Sequence, residues 1–479
     1  MNMSVIACDN VLSFFIYDRL TMANHPKTLD SLTQSRIQQG NHIQFLPSGV
    51  ESYEVRWRLL DQAKHSIHIA TFSMMKDETT QRLEAVLMKK LRQGVTVRII
   101  LDDIVNRTTF AGPMITRLRS AGAYVHGYNG LYEEWLPIPR SITPIKHFMR
   151  NIKLKLKRHY HEKYMVIDGA EVVLGGINWG DKYAYGGLKS FAWRDSDVYL
   201  RGPVVEDIQR QFLKDFLRYQ HWDQRTQGDP STYPEFVSQS TVPSDEEIKQ
   251  QFSECFTATE RQGSVAVRYV AHKPYDDQSL PLTQAFLSLI ANAEKSIYWG
   301  CHGIRPPKIV AEYLAQAVAR GVEVRLITNS EYSSRSLMVR GLLGWMYKEC
   351  TKHYHGLLSR GIRIYEWQLE GAFHSKNFLV DDQIASVGSY NIARGSTYHH
   401  SESNVFVYDA DFSQQVKQQF DKDLMHCEEI TLSAVAPRLP QENAFDRPLH
   451  ERDLMIRKEM IPENIQQELD KGTYKRILT

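Results

Sequence analysis

One pattern occurs twice in this chain and limits what the rest of it can become. His161-Glu162-Lys163 runs into the apolar stretch Tyr164-Met165-Val166-Ile167 and closes on Asp168; His374-Ser375-Lys376 runs into Asn377-Phe378-Leu379-Val380 and closes on Asp381. In each copy an Asn, Asn178 or Asn391, stands 17 residues after the His, behind a second apolar run and a small-residue turn. Extended backbone places side chains i and i+2 on one face, so each imidazole and its ammonium point the same way. A His beside a cation, followed by an amide and present in duplicate, suits reaction at an anionic centre. One His can attack and the other can deliver a proton.

The text around the two copies repeats as well. Asp61-Gln-Ala-Lys-His-Ser-Ile-His matches Asn292-Ala-Glu-Lys-Ser-Ile-Tyr, Arg92-Gln-Gly-Val-Thr-Val-Arg98 matches Ala319-Arg-Gly-Val-Glu-Val-Arg325, and Ser120-Ala-Gly-Ala-Tyr-Val125 matches Ser359-Arg-Gly-Ile-Arg-Ile364. A period of about half the chain means two homologous halves. Within the first, the pattern predicts a strand over Ser66–Thr71, a helix over Thr80–Gln93 ended by Gly94, and a strand over Val95–Leu101, which is an α/β layer structure. The expected division is an N-terminal segment (1–40), a first half (41–222), a linker and lead-in (223–264), a second half (265–430) and a C-terminal extension (431–479) with a helix near Glu463–Asp470. Asp168-Gly169 is a hairpin-turn dipeptide and Asp381-Asp382 fills the equivalent turn, so Asp168 and Asp381 are expected to shape the backbone more than to move protons.

Composition excludes some functions. With 58 basic and 56 acidic residues the net charge is +2, which argues against a general polyanion binder. Five scattered cysteines without a C-x-x-C pair fit neither a disulfide framework nor a zinc site. The His-rich stretches around His159, His161, His353, His355, His399 and His400 have no zinc spacing, and two lysines aimed at an anionic centre make a divalent cation redundant; no metal or cofactor is expected. No apolar run approaches the ~20 residues needed to cross a bilayer, and no convincing signal peptide precedes the halves, so a cytoplasmic protein, or one peripheral at a membrane surface, is expected. The first half carries about 26 extra residues, from roughly Leu131 to Arg158, in which basic and apolar side chains interleave. That insert reads equally as a flap on an anionic membrane and as a solvated basic loop. Ser336–Tyr347 reads as a buried core helix or as the wall of an acyl groove.

The two H-x-K-x4-D patterns, each followed by G-[GS]-x-N, resemble the phospholipase D superfamily. The segment Trp193-Arg194-Asp195 through Val205, and Gly388-Ser389-Tyr390-Asn391 followed eleven residues later by Glu402, are similar to its cardiolipin synthase branch. The resemblance spans roughly residues 41–430. It implies two α/β/α halves related by a pseudo-twofold axis, with the active site at their interface. The implied activity is a phosphatidyltransferase working on glycerophospholipids through a phosphohistidine, with His161 as nucleophile and His374 as general acid. Lys163, Lys376, Asn178 and Asn391 would hold the phosphate oxygens, and Asp195 and Glu402 would orient the imidazoles. The implied partners are a phospholipid substrate and an anionic membrane surface rather than nucleic acid; oligomeric state is open. Hydrolysis of the headgroup to phosphatidic acid uses the same residues and stays open. So do a nuclease-type phosphodiesterase and a non-catalytic membrane-binding scaffold. Cardiolipin synthases often carry N-terminal membrane helices, a pattern from which this chain departs.

Overall fold

Apolar strands alternating with capped helices build the same unit twice. The computed structural model describes residues 29–109, 112–128, 157–185, 192–226, 242–256, 260–274, 279–335, 340–437 and 443–459. The first unit contains β1 (Gln38–Leu46), β2 (Ser66–Thr71), β3 (Thr96–Asp102), β4 (Tyr124–Tyr128), β5 (His159–Tyr160), β6 (Tyr164–Ile167), β7 (Glu171–Gly175) and β8 (Asp197–Arg201). The second contains β9 (Val265–His272), β10 (Ser296–Gly300), β11 (Glu323–Asn329), β12 (Arg363–Trp367), β13 (Phe378–Val380), β14 (Ile384–Gly388), β15 (His400–Tyr408) and the added edge strand β16 (Cys427–Ile430).

In the first unit the strand order is β4-β3-β2-β6-β7-β8-β1, and in the second β12-β11-β10-β13-β14-β15-β9. Strands β2, β3 and β4 are parallel because helices connect them, whereas β6 and β7 form an antiparallel hairpin. β10, β11, β12 and the β13–β14 hairpin repeat the arrangement. The two sheets join edge to edge where β1 pairs antiparallel with β9, with an irregular register, and the described residues form one 16-stranded sheet in which β5 lies off the continuous path, paired with β15.

Local chemistry explains the helices. Asp77 accepts from the Thr80 N–H while Thr80 Oγ1 accepts from the Asp77 N–H, a capping box that starts the helix Glu78–Arg92 two residues before the predicted Thr80. Lys89, Lys90 and Arg92 lie in its last turn, where cations favour the helix dipole, and Gly94 at φ +82° turns the chain into β3. Its inward face buries Leu83 and Leu87. Helices Val204–Thr226 and Ala410–Leu424 share the opposite face of the sheet, and their Phe212, Phe216, Phe412 and Phe420 join residues of both units in one core. Each such ring is worth roughly 1.5–3 kcal/mol on burial. Two further cores, one per unit, fill the other face.

Several expected boundaries differ. β1 begins at Gln38, because Asn41 and its neighbours bridge the two units. Helix Leu29–Thr33 precedes it, and its Asp30 pairs with Arg268 of the second unit at 2.5 Å. The expected linker is in part helical: Val204–Thr226 runs past 222, and Asp245–Gln251 is started by a capping box between Ser244 and Glu247. The C-terminal region has a helix at Glu451–Glu459; the one expected at Glu463–Asp470 lies outside the described residues, as does nearly all of the basic insert. Arg340–Leu358 is helical, but Trp345 is 52% exposed, so the stretch is not a fully buried core helix.

Candidate active site

The strand pattern that puts each His beside its Lys also puts each motif segment against the other unit. β5 runs parallel to the start of β15, and the His161 N–H donates to the Ser401 carbonyl at 3.0 Å. In the second unit the segment before His374 forms the same kind of bridge with Arg194, and the His374 N–H donates to the Arg194 carbonyl at 2.7 Å. The next residue on each partner segment is an acid, so the orienting carboxylates cross over. Glu402 Oε2 lies 2.8 Å from His161 Nδ1, and Asp195 Oδ2 lies 2.5 Å from His374 Nδ1. Among the described residues neither imidazole is oriented by an acid of its own unit.

The supports of this crossing are local. Asp195 Oδ1 accepts from the Ser196 N–H at 2.8 Å, and Glu402 Oε1 accepts from Ser396 Oγ at 2.5 Å. Gly176 leaves room for Asp195, since a Cβ there would stand 2.2 Å from its Oδ1. Arg194 grips Asp423 through Nε and Nη2, both at 2.8 Å, which holds the segment carrying Asp195 against the second unit.

Lys163 and Lys376 are buried beside their imidazoles, and each donates to the carbonyl of its own motif His. Burial lowers both ammonium groups, Lys163 to about 7. Burial likewise raises Glu402 and Asp195 to about 7 and pushes both imidazoles well below their ordinary value, with the lysines adding to the effect on His161 and His374. A dry site crowded with cations is suited to an anion that would recharge the lysines. Asn178 is tied in by the Ser73 N–H to its Oδ1 at 3.2 Å and by its Nδ2 to Tyr183 Oη at 2.9 Å; Asn391 Oδ1 lies 3.7 Å from Cys301 Sγ.

Asp168 and Asp381 are not brought into this cluster. Each sits at positive φ, +51° and +53°, and accepts three backbone N–H groups from the loop that starts the neighbouring strand. Those donors are Lys64, His65 and Ser66 for Asp168 and Glu294, Lys295 and Ser296 for Asp381, at 2.7–2.9 Å.

Of the other neighbours, Trp193 opens the segment that carried the family resemblance, whereas Phe72, Lys182 and His302 belonged to no motif in the sequence. Trp193 and His302 lie 5.1 and 5.0 Å from the His374 ring, and Phe72 lies 4.9 Å from the His161 ring. Lys182 Nζ stands 3.6 Å from the Trp193 ring centre. Glu162, alternating with His161 and Lys163, points away from them and forms a buried cluster with Lys273, Asp215 and Ser401. The only signal for Glu162 in the sequence is a charge at a position where a buried strand has no solvent.

A family model described as cardiolipin synthase, phospholipase D-like domain, matches residues 57–215 and 286–424. The chain is 27% identical over 421 residues to a protein named cardiolipin synthase 2 from Bacillus cereus, covering 86% of this chain and 72% of that one. It is 28% identical over 418 residues to the cardiolipin synthase of Geobacillus kaustophilus, covering 86% and 73%. Among solved structures, phosphatidylserine synthase from Haemophilus influenzae superposes with a TM-score of 0.59 at 13% identity, covering 96% of this chain and 99% of that one, a likeness of fold.

Proposed function

The chain belongs to the family of phospholipase D-like cardiolipin synthase domains, and from that premise we propose that it is a phosphatidyltransferase of cardiolipin synthase type, acting on glycerophospholipids through a phosphohistidine. The observation that carries the reading is the crossed pairing of His161 with Glu402 and His374 with Asp195, which supplies two oriented imidazoles facing one site.

The first step forms a bond from His161 Nε2 to phosphorus and breaks the bond to the departing headgroup oxygen, which takes its proton from His374. Glu402 holds the Nδ1 proton of His161 and so leaves Nε2 with its lone pair free. Lys163, Lys376, Asn178 and Asn391 hold the non-bridging oxygens as charge builds there. In the second step an acceptor hydroxyl gives its proton to His374 and attacks phosphorus, and the bond to His161 breaks. With the hydroxyl of phosphatidylglycerol the product is cardiolipin; with water it is phosphatidic acid. The order of the two histidines follows the family pattern, and Asp168 and Asp381 act through the backbone they hold.

Phospholipid substrates lie in bilayers, and we place the protein at the membrane periphery. No helix among the described residues is long and apolar enough to cross a bilayer. The half-exposed Trp345, with Arg305 5.8 Å from its ring, gives an amphipathic contact of the kind that sits at a lipid interface.

The test is mass spectrometry of phosphatidylglycerol liposomes incubated with the purified protein and chelator, beside His161→Ala and His374→Ala. Cardiolipin plus glycerol, lost in both variants, is the expected result. Phosphatidic acid plus glycerol makes hydrolysis the activity, and no lipid product refutes the reading.

A further inference from the structure

The carboxylate that orients His161 has a second imidazole at its other oxygen. Glu402 Oε2 is 2.8 Å from His161 Nδ1, and Oε1 is 3.8 Å from His400 Nδ1. One ligand atom from each of His161, His400 and Glu402 lies within 4.8 Å of the others. His400 Nδ1 is buried and has no hydrogen-bond partner among the described residues, although the atom is an obligatory donor or acceptor. From this geometry we infer that His161, His400 and Glu402 bind a zinc-class transition-metal ion, and that its binding switches off the reacting imidazole. The consequence for turnover, though not the site itself, rests on the function proposed above.

The donor set fits such an ion. Two imidazoles and one carboxylate leave a fourth position open, and at bond lengths of about 2.0–2.1 Å a tetrahedral ion spaces its ligands by about 3.3 Å, so no pair of the three atoms has to close by more than about 1.5 Å. His400 and Glu402 share a face of β15 at i and i+2, so only His161 comes from elsewhere. The carboxylate is already fixed from behind by Ser396 Oγ at 2.5 Å, the kind of outer contact that orients a metal ligand. The His400 ring is seated over Gly395, where a Cβ would stand 2.7 Å from Cε1, and its side chain keeps 23% exposure, which gives the ion an entry from solvent. The ammonium groups of Lys163 and Lys376 oppose a dication, so the expected affinity is micromolar rather than that of a structural zinc site.

Occupation blocks the reaction for a definite reason. A metal on His161 Nδ1 leaves the single ring proton of a neutral imidazole on Nε2, the nitrogen whose lone pair must reach phosphorus, and it also takes Glu402 away from the ring. Because the ligands come from two units, no spacing in the sequence reports them.

The experiment uses the full-length protein stripped with chelator and titrated with Co2+ and Zn2+, beside His400→Phe and His374→Ala, with Zn K-edge X-ray absorption on the unmutated protein. Expected are one equivalent of metal, tetrahedral Co2+ bands in the unmutated protein and in His374→Ala, and two imidazoles around zinc. His400→Phe should bind at least tenfold more weakly, and zinc inhibition of lipid turnover, taken relative to each protein's own metal-free rate, should weaken in parallel. Equal affinity in His400→Phe, or a spectrum with fewer than two imidazoles, overturns the proposal. The spectrum needs neither a variant nor turnover, so misfolding of His400→Phe leaves the test standing. Metal bound in this way to a protein that turns over no lipid would refute the proposed function and not the metal site.

Discussion

Lys273→Met tests the buried charge cluster behind the segment that carries His161 and Lys163. Lys273 is nine-tenths buried and joins Glu162 to Asp215, the latter at 2.5 Å, while Glu162 also accepts from Ser401 Oγ at 2.7 Å. Ser401 is the residue whose carbonyl holds the His161 N–H, so the cluster props the segment on which that imidazole rests. Removing one partner of a buried ion pair costs about 3–5 kcal/mol when the other charge stays. Glu162 has an escape. Burial already raises it from 4.5 to about 7 despite Lys273, and without the ammonium it moves higher and takes up a proton. A carboxylate raised on folding contributes stability at low pH and loses it as pH climbs through the folded value. Near pH 6 Glu162 is largely protonated with or without Lys273, so there the substitution removes the contact to Asp215 and adds little through Glu162. Above pH 7 the unmutated protein lets the proton go while the variant must keep it, at about 1.4 kcal/mol per pH unit, so the extra loss between pH 7 and 8.5 is roughly 2 kcal/mol. Urea unfolding followed by circular dichroism at pH 6 and 8.5 reads this difference. Adding Glu162→Gln should remove the pH dependence. An equal loss at both pH values, or a double variant no better than the single one, would refute the reasoning.

Asp168→Ala removes three charge-assisted backbone contacts from a turn at φ +51°; we expect a loss of roughly 2–4 kcal/mol in unfolding measurements, with the per-molecule rate of folded protein kept. Gly176→Ala places a Cβ 2.2 Å from Asp195 Oδ1, so kcat/KM should fall at least about tenfold, as in Asp195→Asn, and an unchanged rate would deny Asp195 its role. The rate should peak near pH 7, because Glu402 and Asp195 ionise at about 7 on the acid side and Lys163 loses its charge at about 7 on the alkaline side; Glu402→Gln should alter the acid limb of the kcat/KM profile. In His374→Ala, a substrate with a 4-nitrophenol leaving group, which needs no proton, should leave an acid-labile phosphatidyl adduct on His161 by mass spectrometry. An adduct on His374 in His161→Ala would reverse the order.

The duplicated pattern carried the two-unit α/β fold because alternation and capping are local. Asp77, Gly94 and the apolar runs of β2 and β3 act on neighbours a few residues away, so their effect is written in the chain itself. The pairing of each His with a Lys was equally legible, since i and i+2 on a strand share a face whatever lies across from it. Helices such as Glu451–Glu459 and Asp245–Gln251 were missed because they stand in polar sequence with little apolar period, and caps or docking rather than periodicity decide them.

The chain by itself also determined that Asp168 and Asp381 stand at turns and that Asp195 and Glu402 accompany the motifs. Only the tertiary structure decided which acid serves which imidazole, and it chose the opposite unit each time. It likewise placed His400 across from Glu402 and His161, and gave the charge of Glu162 its answer in Lys273, 111 residues away. Contacts between residues hundreds of positions apart depend on how two folded surfaces meet, and a local pattern holds no record of that meeting until β1 and β9 bring the units together.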